Sequence, residues 1–384
     1  MRKKNKPENL LRRLVGSETN ENEYTFEAFN INVQLKLKKN DILVSPRASI
    51  AFIGENGEEQ RKLVNPKLLD CLKIHKDDKL IAAISACEEG KFMGFISTPE
   101  DTFEITPLTE RLKNMLFLLR SPEFSGTGGE DMIINEYYIV KRATFPNFTI
   151  NDSTDFDDWH EEDDNELEIE LFETDSPGPE APKTIEMAIF FDHVAYSRFS
   201  VLYSDEEIEE LLLAYVNQVH ALYHVPSLGQ QVDITIIYLE IQKTAMFDNH
   251  DGEYKELLDA FCNYNNNKNP EDDQGNPRHW DVGVLLSGLD IWGKSNGLNF
   301  YEILGLARTG GMCNADYSCL AVELGVWSAL GNSYPTTGFS AAYTLAHELG
   351  HSLGMKHDGT NNDCEVSQNY KKNVLLKISY PISL

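Results

Sequence analysis

Residues His347 to Asp358 read His-Glu-Leu-Gly-His-Ser-Leu-Gly-Met-Lys-His-Asp, and few local conformations satisfy that pattern. On a helix, His347 and His351 are four apart and share one face, so both imidazoles reach one metal ion. Glu348 sits between them, where a carboxylate takes a proton from a metal-bound water. Gly354 is predicted to end the helix in a sharp turn, because glycine alone accepts positive φ without steric cost. That turn brings His357 back as a third ligand. Three histidines and an open fourth position describe a catalytic zinc site. Leu345, Leu349 and Leu353 repeat every four residues, offset by two from the histidines, which puts them on the opposite side. The segment therefore requires a helix with leucines facing a core and histidines facing a cleft.

The 384-residue chain is long enough for two or three domains, and 41% hydrophobic residues suffice for ordinary cores. No apolar run reaches the ~18 residues of a transmembrane helix. A net charge of −28 argues against nucleic acid and anionic membranes as partners. Oligomeric state is not legible. Six cysteines (Cys71, Cys87, Cys262, Cys313, Cys319 and Cys364) include no C-x-x-C pair. Their even number, split between two halves of the chain, points to disulfides and an oxidising compartment. The four cysteines of the second half allow three pairings. Asn147-Phe148-Thr149 and Asn151-Asp152-Ser153 have the form of N-glycosylation acceptors. Against secretion, Met1 to Lys6 is basic but no apolar core follows, so no signal peptide is visible. The expectation is an extracellular protein whose true start is missing from this chain, with a cytosolic protein as the alternative.

The chain divides by composition. Residues 1–24 are polar and expected to be disordered. Residues 25–150 read as a β-rich module, with strand signals at Phe29–Leu37, Leu80–Cys87 and Phe92–Ile96. Residues 151–175 hold seven Asp and six Glu without Lys or Arg, and a Pro-rich stretch follows. Residues 151–183 thus read as an acidic linker and domain boundary. From residue 184 the pattern becomes α/β. Ile185–Phe191, Val232–Ile241 and Val282–Leu286 read as strands. Glu206–Tyr223 reads as a helix whose stripe is Ile208, Leu212, Tyr215, Val219 and Leu222, with Ser204 and Glu207 as its capping box.

The zinc segment and its surroundings resemble the metzincin metalloproteases, and within them the reprolysin (adamalysin) group that includes the ADAM and ADAMTS proteases and arthropod venom metalloproteases. Asp358 after the third histidine is that group's mark. The likeness extends over much of residues 184–364, through Ile185-Glu186-Met187, Leu258 to Cys262, His279 to Leu286, Leu304 to Ala307, Met312-Cys313 and Ser318-Cys319. The resemblance implies a metzincin-like catalytic domain, a mixed twisted sheet with a zinc helix, over residues 184–384. Before it stands a propeptide-like module in which Cys71 and Cys87 are spaced like a paired set.

It further implies a zinc endopeptidase made as a precursor and acting on protein or peptide substrates. His347, His351 and His357 would be the ligands and Glu348 the general base. Gly305-Leu306-Ala307 would be an edge strand that pairs with substrate; core packing is the alternative for these residues. Glu186 and Asp281 match calcium-binding positions of the group, with plain surface carboxylates as the alternative. The sequence departs from the group in three ways. No methionine follows Met355, where the group carries a methionine turn; no signal peptide is visible; and no basic convertase site precedes residue 184. The first departure gives the expectation of a catalytic domain incomplete at its C-terminus. It also gives the competing function, a chain that binds zinc without hydrolysing peptides.

Overall fold

The computed structural model describes residues 10–13, 23–28, 31–77, 80–88, 91–98, 102–107, 137–142, 183–225, 228, 231–271, 275–301, 303–326 and 341–357. Both glycosylation triplets, most of the acidic linker, Asp358, Cys364 and the Cys313 side chain lie outside the described residues.

The second half is built on a seven-stranded mixed sheet. Its order is β17 (Gly305–Ala307), β18 (Cys319–Glu323), β14 (Val282–Ser287), β12 (Lys183–Phe191), β13 (Val232–Gln242), β5 (Val44–Ile53) and β6 (Glu59–Leu63). The five inner strands are parallel, and β17 and β6 run antiparallel at the two edges. Strands buried on both faces read as continuous apolar runs. Accordingly, every residue of β14 and β18 is buried. Alternation is hidden inside such runs but decides the packing. Ile185, Met187, Ile189 and Phe191 enter one core, while Ala188 and Phe190 enter the other. In the second core Phe190 meets Phe261, Tyr264 and Trp280 edge-on, at 5.3, 5.9 and 6.2 Å. Phe261 and Tyr264 come from helix α4 (Tyr254–Lys268).

The N-terminal half forms its own seven-stranded sheet, the first in chain order, antiparallel throughout. Its order is β1 (Leu10–Arg13), β11 (Tyr137–Arg142), β10 (Thr102–Pro107), β9 (Lys91–Ser97), β8 (Ile81–Glu88), β7 (Leu72–Lys76) and β4 (Lys38–Lys39). A hairpin of β2 (Glu23–Ala28) and β3 (Ile31–Lys36) packs on one face through Phe26, Val33 and Leu35. The strands read at Phe29–Leu37, Leu80–Cys87 and Phe92–Ile96 are present as β3, β8 and β9. Within the tail expected to be disordered, Leu10–Arg13 instead pairs with β11. Four residues are enough here because an existing sheet edge supplies the backbone partners.

Helix α3 (Asp205–Leu222) lies between the two sheets. Ser204 and Glu207 form the expected capping box: the Ser204 amide donates to Glu207 Oε2 at 2.8 Å and the Glu207 amide to Ser204 Oγ at 3.3 Å. Both sides of the helix are covered, so fourteen of its eighteen residues are buried, including Asn217 and Gln218. On the N-terminal side Ser85 Oγ donates to Glu210 Oε1 at 2.8 Å, and Asn217 Nδ2 donates to the Lys73 carbonyl at 3.0 Å. Leu72, Ala83 and Phe95 of the first sheet share one core with α3 and the second sheet. The two halves are therefore joined by that core and by β5 pairing with β13, a union the composition boundary at 151–183 does not reveal.

Two disulfides fall among the described residues. Cys71 at the end of α1 (Pro66–Cys71) bonds Cys87, with Cα atoms 4.7 Å apart. Cys262 of α4 bonds Cys319 of β18, with Cα atoms 5.4 Å apart. The first is the pairing the resemblance implied; the second selects among the three open pairings.

Candidate metal centre

Helix α5 (Ala341–Ser352) carries the zinc segment. Ala341, Ala342, Leu345 and Leu349 are wholly buried, and Leu353 packs at the core's margin. The leucine face therefore points inward as expected. Two tyrosines of α3 fix this helix in place: Tyr215 Oη donates to the Ala341 carbonyl at 2.9 Å and Tyr223 Oη to the Ala346 carbonyl at 2.8 Å. Hydrophobic periodicity found Tyr215 for its ring; it could not show that the hydroxyl braces another helix.

The helix ends where glycine allows it. The Gly354 amide donates to the His351 carbonyl at 2.8 Å, the Met355 amide to the Gly350 carbonyl at 2.9 Å, and Gly354 has φ of 91°. A side chain in that conformation is strained. The turn returns His357 to the face of His347 and His351. The three Nε2 atoms stand 3.0, 3.1 and 3.2 Å apart. His351 Nδ1 lies 2.7 Å from the Met355 carbonyl. A carbonyl only accepts, so Nδ1 carries the proton and Nε2 keeps its lone pair for a metal. Desolvation, followed by the neighbouring His351 and His357, holds the His347 imidazole well below the usual histidine range. Bonds of ~2.0–2.1 Å set tetrahedral zinc ligands roughly 3.3 Å apart, so the three nitrogens fit that ion closely.

Glu348 is buried beside this cluster. A Cβ added to Gly305 would meet Glu348 Cγ at 2.7 Å and Oε1 at 2.9 Å, which measures how closely β17 approaches the carboxylate. β17 is the edge of its sheet, bonded to β18 through Gly305–Val322, Leu306–Ala321 and Ala307–Leu320. Leu306 is buried in the core, while Gly305 and Ala307 are half-buried. β17 is thus an edge strand whose middle residue, Leu306, packs inward.

Glu186 of β12 and Asp281, the residue just before β14, are neighbours. The Glu186 amide donates to Asp281 Oδ2 at 2.7 Å, and the Asp281 amide donates to the Glu186 carbonyl at 2.7 Å. No third carboxylate, histidine or cysteine joins them among the described residues.

A parallel-centred sheet, an antiparallel edge strand and a histidine-bearing helix ended by glycine define a zinc metallopeptidase fold of the metzincin type. The profile of Reprolysin_5, metallo-peptidase family M12, matches residues 181–383, and the chain belongs to that family. It is 34% identical over 191 residues to A disintegrin and metalloproteinase with thrombospondin motifs adt-1 of Caenorhabditis elegans, covering 48% of this chain and 12% of that protein. It is 35% identical over 176 residues to A disintegrin and metalloproteinase with thrombospondin motifs 7 of Rattus norvegicus, covering 45% of this chain and 10% of that protein. To motifs 12 of Mus musculus it is 36% identical over 175 residues, with 45% and 10% covered. The chain therefore spans about a tenth of the length of these relatives. Among the described residues no helix is long and apolar enough to cross a membrane.

Proposed function

We propose that the chain is a zinc endopeptidase in which His347, His351 and His357 hold the ion and Glu348 is the general base. The observation that carries this is the convergence of three Nε2 atoms, 3.0–3.2 Å apart, on the helix that bears a buried Glu348. When bound, zinc lowers the pKa of its water toward ~7 and polarises the scissile carbonyl. Glu348 takes the proton of the attacking water and passes it to the leaving amine. Gly305, Leu306 and Ala307 offer edge backbone to an extended peptide, which fixes the scissile bond over Glu348. The N-terminal half is the precursor segment, and the disulfides support an extracellular protein. Calcium at Glu186 and Asp281 is part of the same proposal, since neighbouring hard carboxylate oxygens suit that ion.

The test is zinc content together with cleavage of a denatured protein by the purified chain. Zinc near one equivalent at the catalytic histidines with chelator-sensitive cleavage is expected. Glu348→Ala should lower kcat by at least ~10²-fold while zinc is retained. Equal cleavage by that variant overturns the assignment of Glu348. Zinc without cleavage, both in the intact chain and after limited proteolysis between the two halves, overturns the peptidase in favour of a metal-binding protein.

A further inference from the structure

We propose that His220, His224 and Asp233 form a second metal site, for a zinc-class divalent transition ion, pinning the end of α3 to the start of β13. A ring nitrogen of each histidine and a carboxylate oxygen of Asp233 lie within 4.8 Å of one another. This cluster and the α5 histidines are the groups of that kind among the described residues. His220 and Asp233 are buried, and His224 is nearly so.

The hydrogen bonds call for a cation here. His224 Nδ1 lies 2.7 Å from the His220 carbonyl, which only accepts, so Nδ1 carries the proton. His224 Nε2 then faces Asp233 Oδ1 at 2.9 Å. A lone pair and a carboxylate oxygen repel at that distance unless a positive ion lies between them. A proton would suffice for the pair alone. The second imidazole favours a metal: the His220 ring stacks on His224 with centroids 4.3 Å apart. His220 Nδ1 lies 3.3 Å from the Ile234 carbonyl and 3.2 Å from the Ile234 amide, so it either donates to the first or accepts from the second; ligation through Nε2 requires the donating form. Two nitrogens and one carboxylate suit zinc better than calcium, with water at the fourth position.

The site has a structural consequence. Tyr223 sits between these histidines in sequence and donates to the Ala346 carbonyl on α5. An ion holding the end of α3 therefore also steadies the helix that carries His347. This proposal stands on its own donors and does not rest on peptidase activity.

Cobalt(II) is the probe, titrated into the metal-free full chain and followed by visible ligand-field absorption and by metal content after gel filtration. The parent chain should take up about two equivalents. The variant His347→Gln/His351→Gln should keep about one, and adding His224→Gln should remove it. Asp233→Asn should weaken that remaining binding at least ~10-fold. The proposal is overturned if His347→Gln/His351→Gln binds no cobalt while its near-UV circular dichroism matches the parent, for a proton then bridges His224 and Asp233. That decisive variant retains His220, His224 and Asp233, so misfolding of a His224 substitution leaves the answer intact. Loss of cleavage with two ions bound would sink the peptidase reading and leave this one standing.

Discussion

At the scale of single residues, the site depends on one hydrogen atom. Gly305 gives the edge strand its close approach to Glu348, and a Cβ there would also meet Thr344 Cγ2 at 2.9 Å. Gly305→Ala must push Glu348, Thr344 or the strand itself out of place. Displacement of a catalytic group by ~1 Å costs on the order of 10²-fold in rate. We expect kcat/KM to fall by about that factor with zinc content unchanged, because the atoms nearest an added Cβ belong to Glu348 and Thr344 and not to the three histidines. Comparing steady-state kinetics with metal content decides the matter, and full activity in Gly305→Ala would remove β17 from the reaction. The histidine spacing was legible in sequence because four residues is a property of the helix itself. The nearness of Gly305 to Glu348 was not, since forty-three positions separate them and only the sheet brings them together.

Among the elements, Glu186 of β12 meets Asp281, at the entry to β14. Asp281 already accepts the Glu186 amide, and asparagine can accept the same bond. Asp281→Asn therefore removes charge while keeping the local hydrogen bond. If calcium binds there, the ion should raise the parent's Tm by several degrees at saturating concentration and leave Asp281→Asn nearly unmoved. An equal calcium response in both proteins, measured by calorimetry, would place the ion elsewhere. The strands themselves were readable from their apolar runs, and α3 from its stripe and capping box. What periodicity missed was α3's second covered side. A one-stripe helix was expected, yet Asn217 is buried on the side of the N-terminal sheet, where it donates to the Lys73 carbonyl.

For the whole molecule, β5 and β6 extend the second sheet, and Leu72, Ala83 and Phe95 cover α3. Removing residues 1–182 strips strand partners from β13 and exposes apolar side chains such as Leu213. Burying one such side chain contributes about 1.5–3 kcal/mol, so the loss is comparable with the net stability of a domain. Expressed alone, residues 183–384 should show a markedly lowered Tm and bind a hydrophobic dye. A cooperative transition at the parent's Tm would mean the halves are energetically independent.

The sequence alone determined the helix of His347 and His351, the glycine turn that returns His357, and the α/β pattern after residue 184. Each rests on local spacing, which backbone geometry converts directly into position. Tertiary structure alone decided that strands from the first half complete the second sheet, that Tyr215 and Tyr223 brace α5, and that His220 and His224 meet Asp233. Those juxtapositions depend on which buried surfaces find each other, and a shared core carries no fixed interval along the chain.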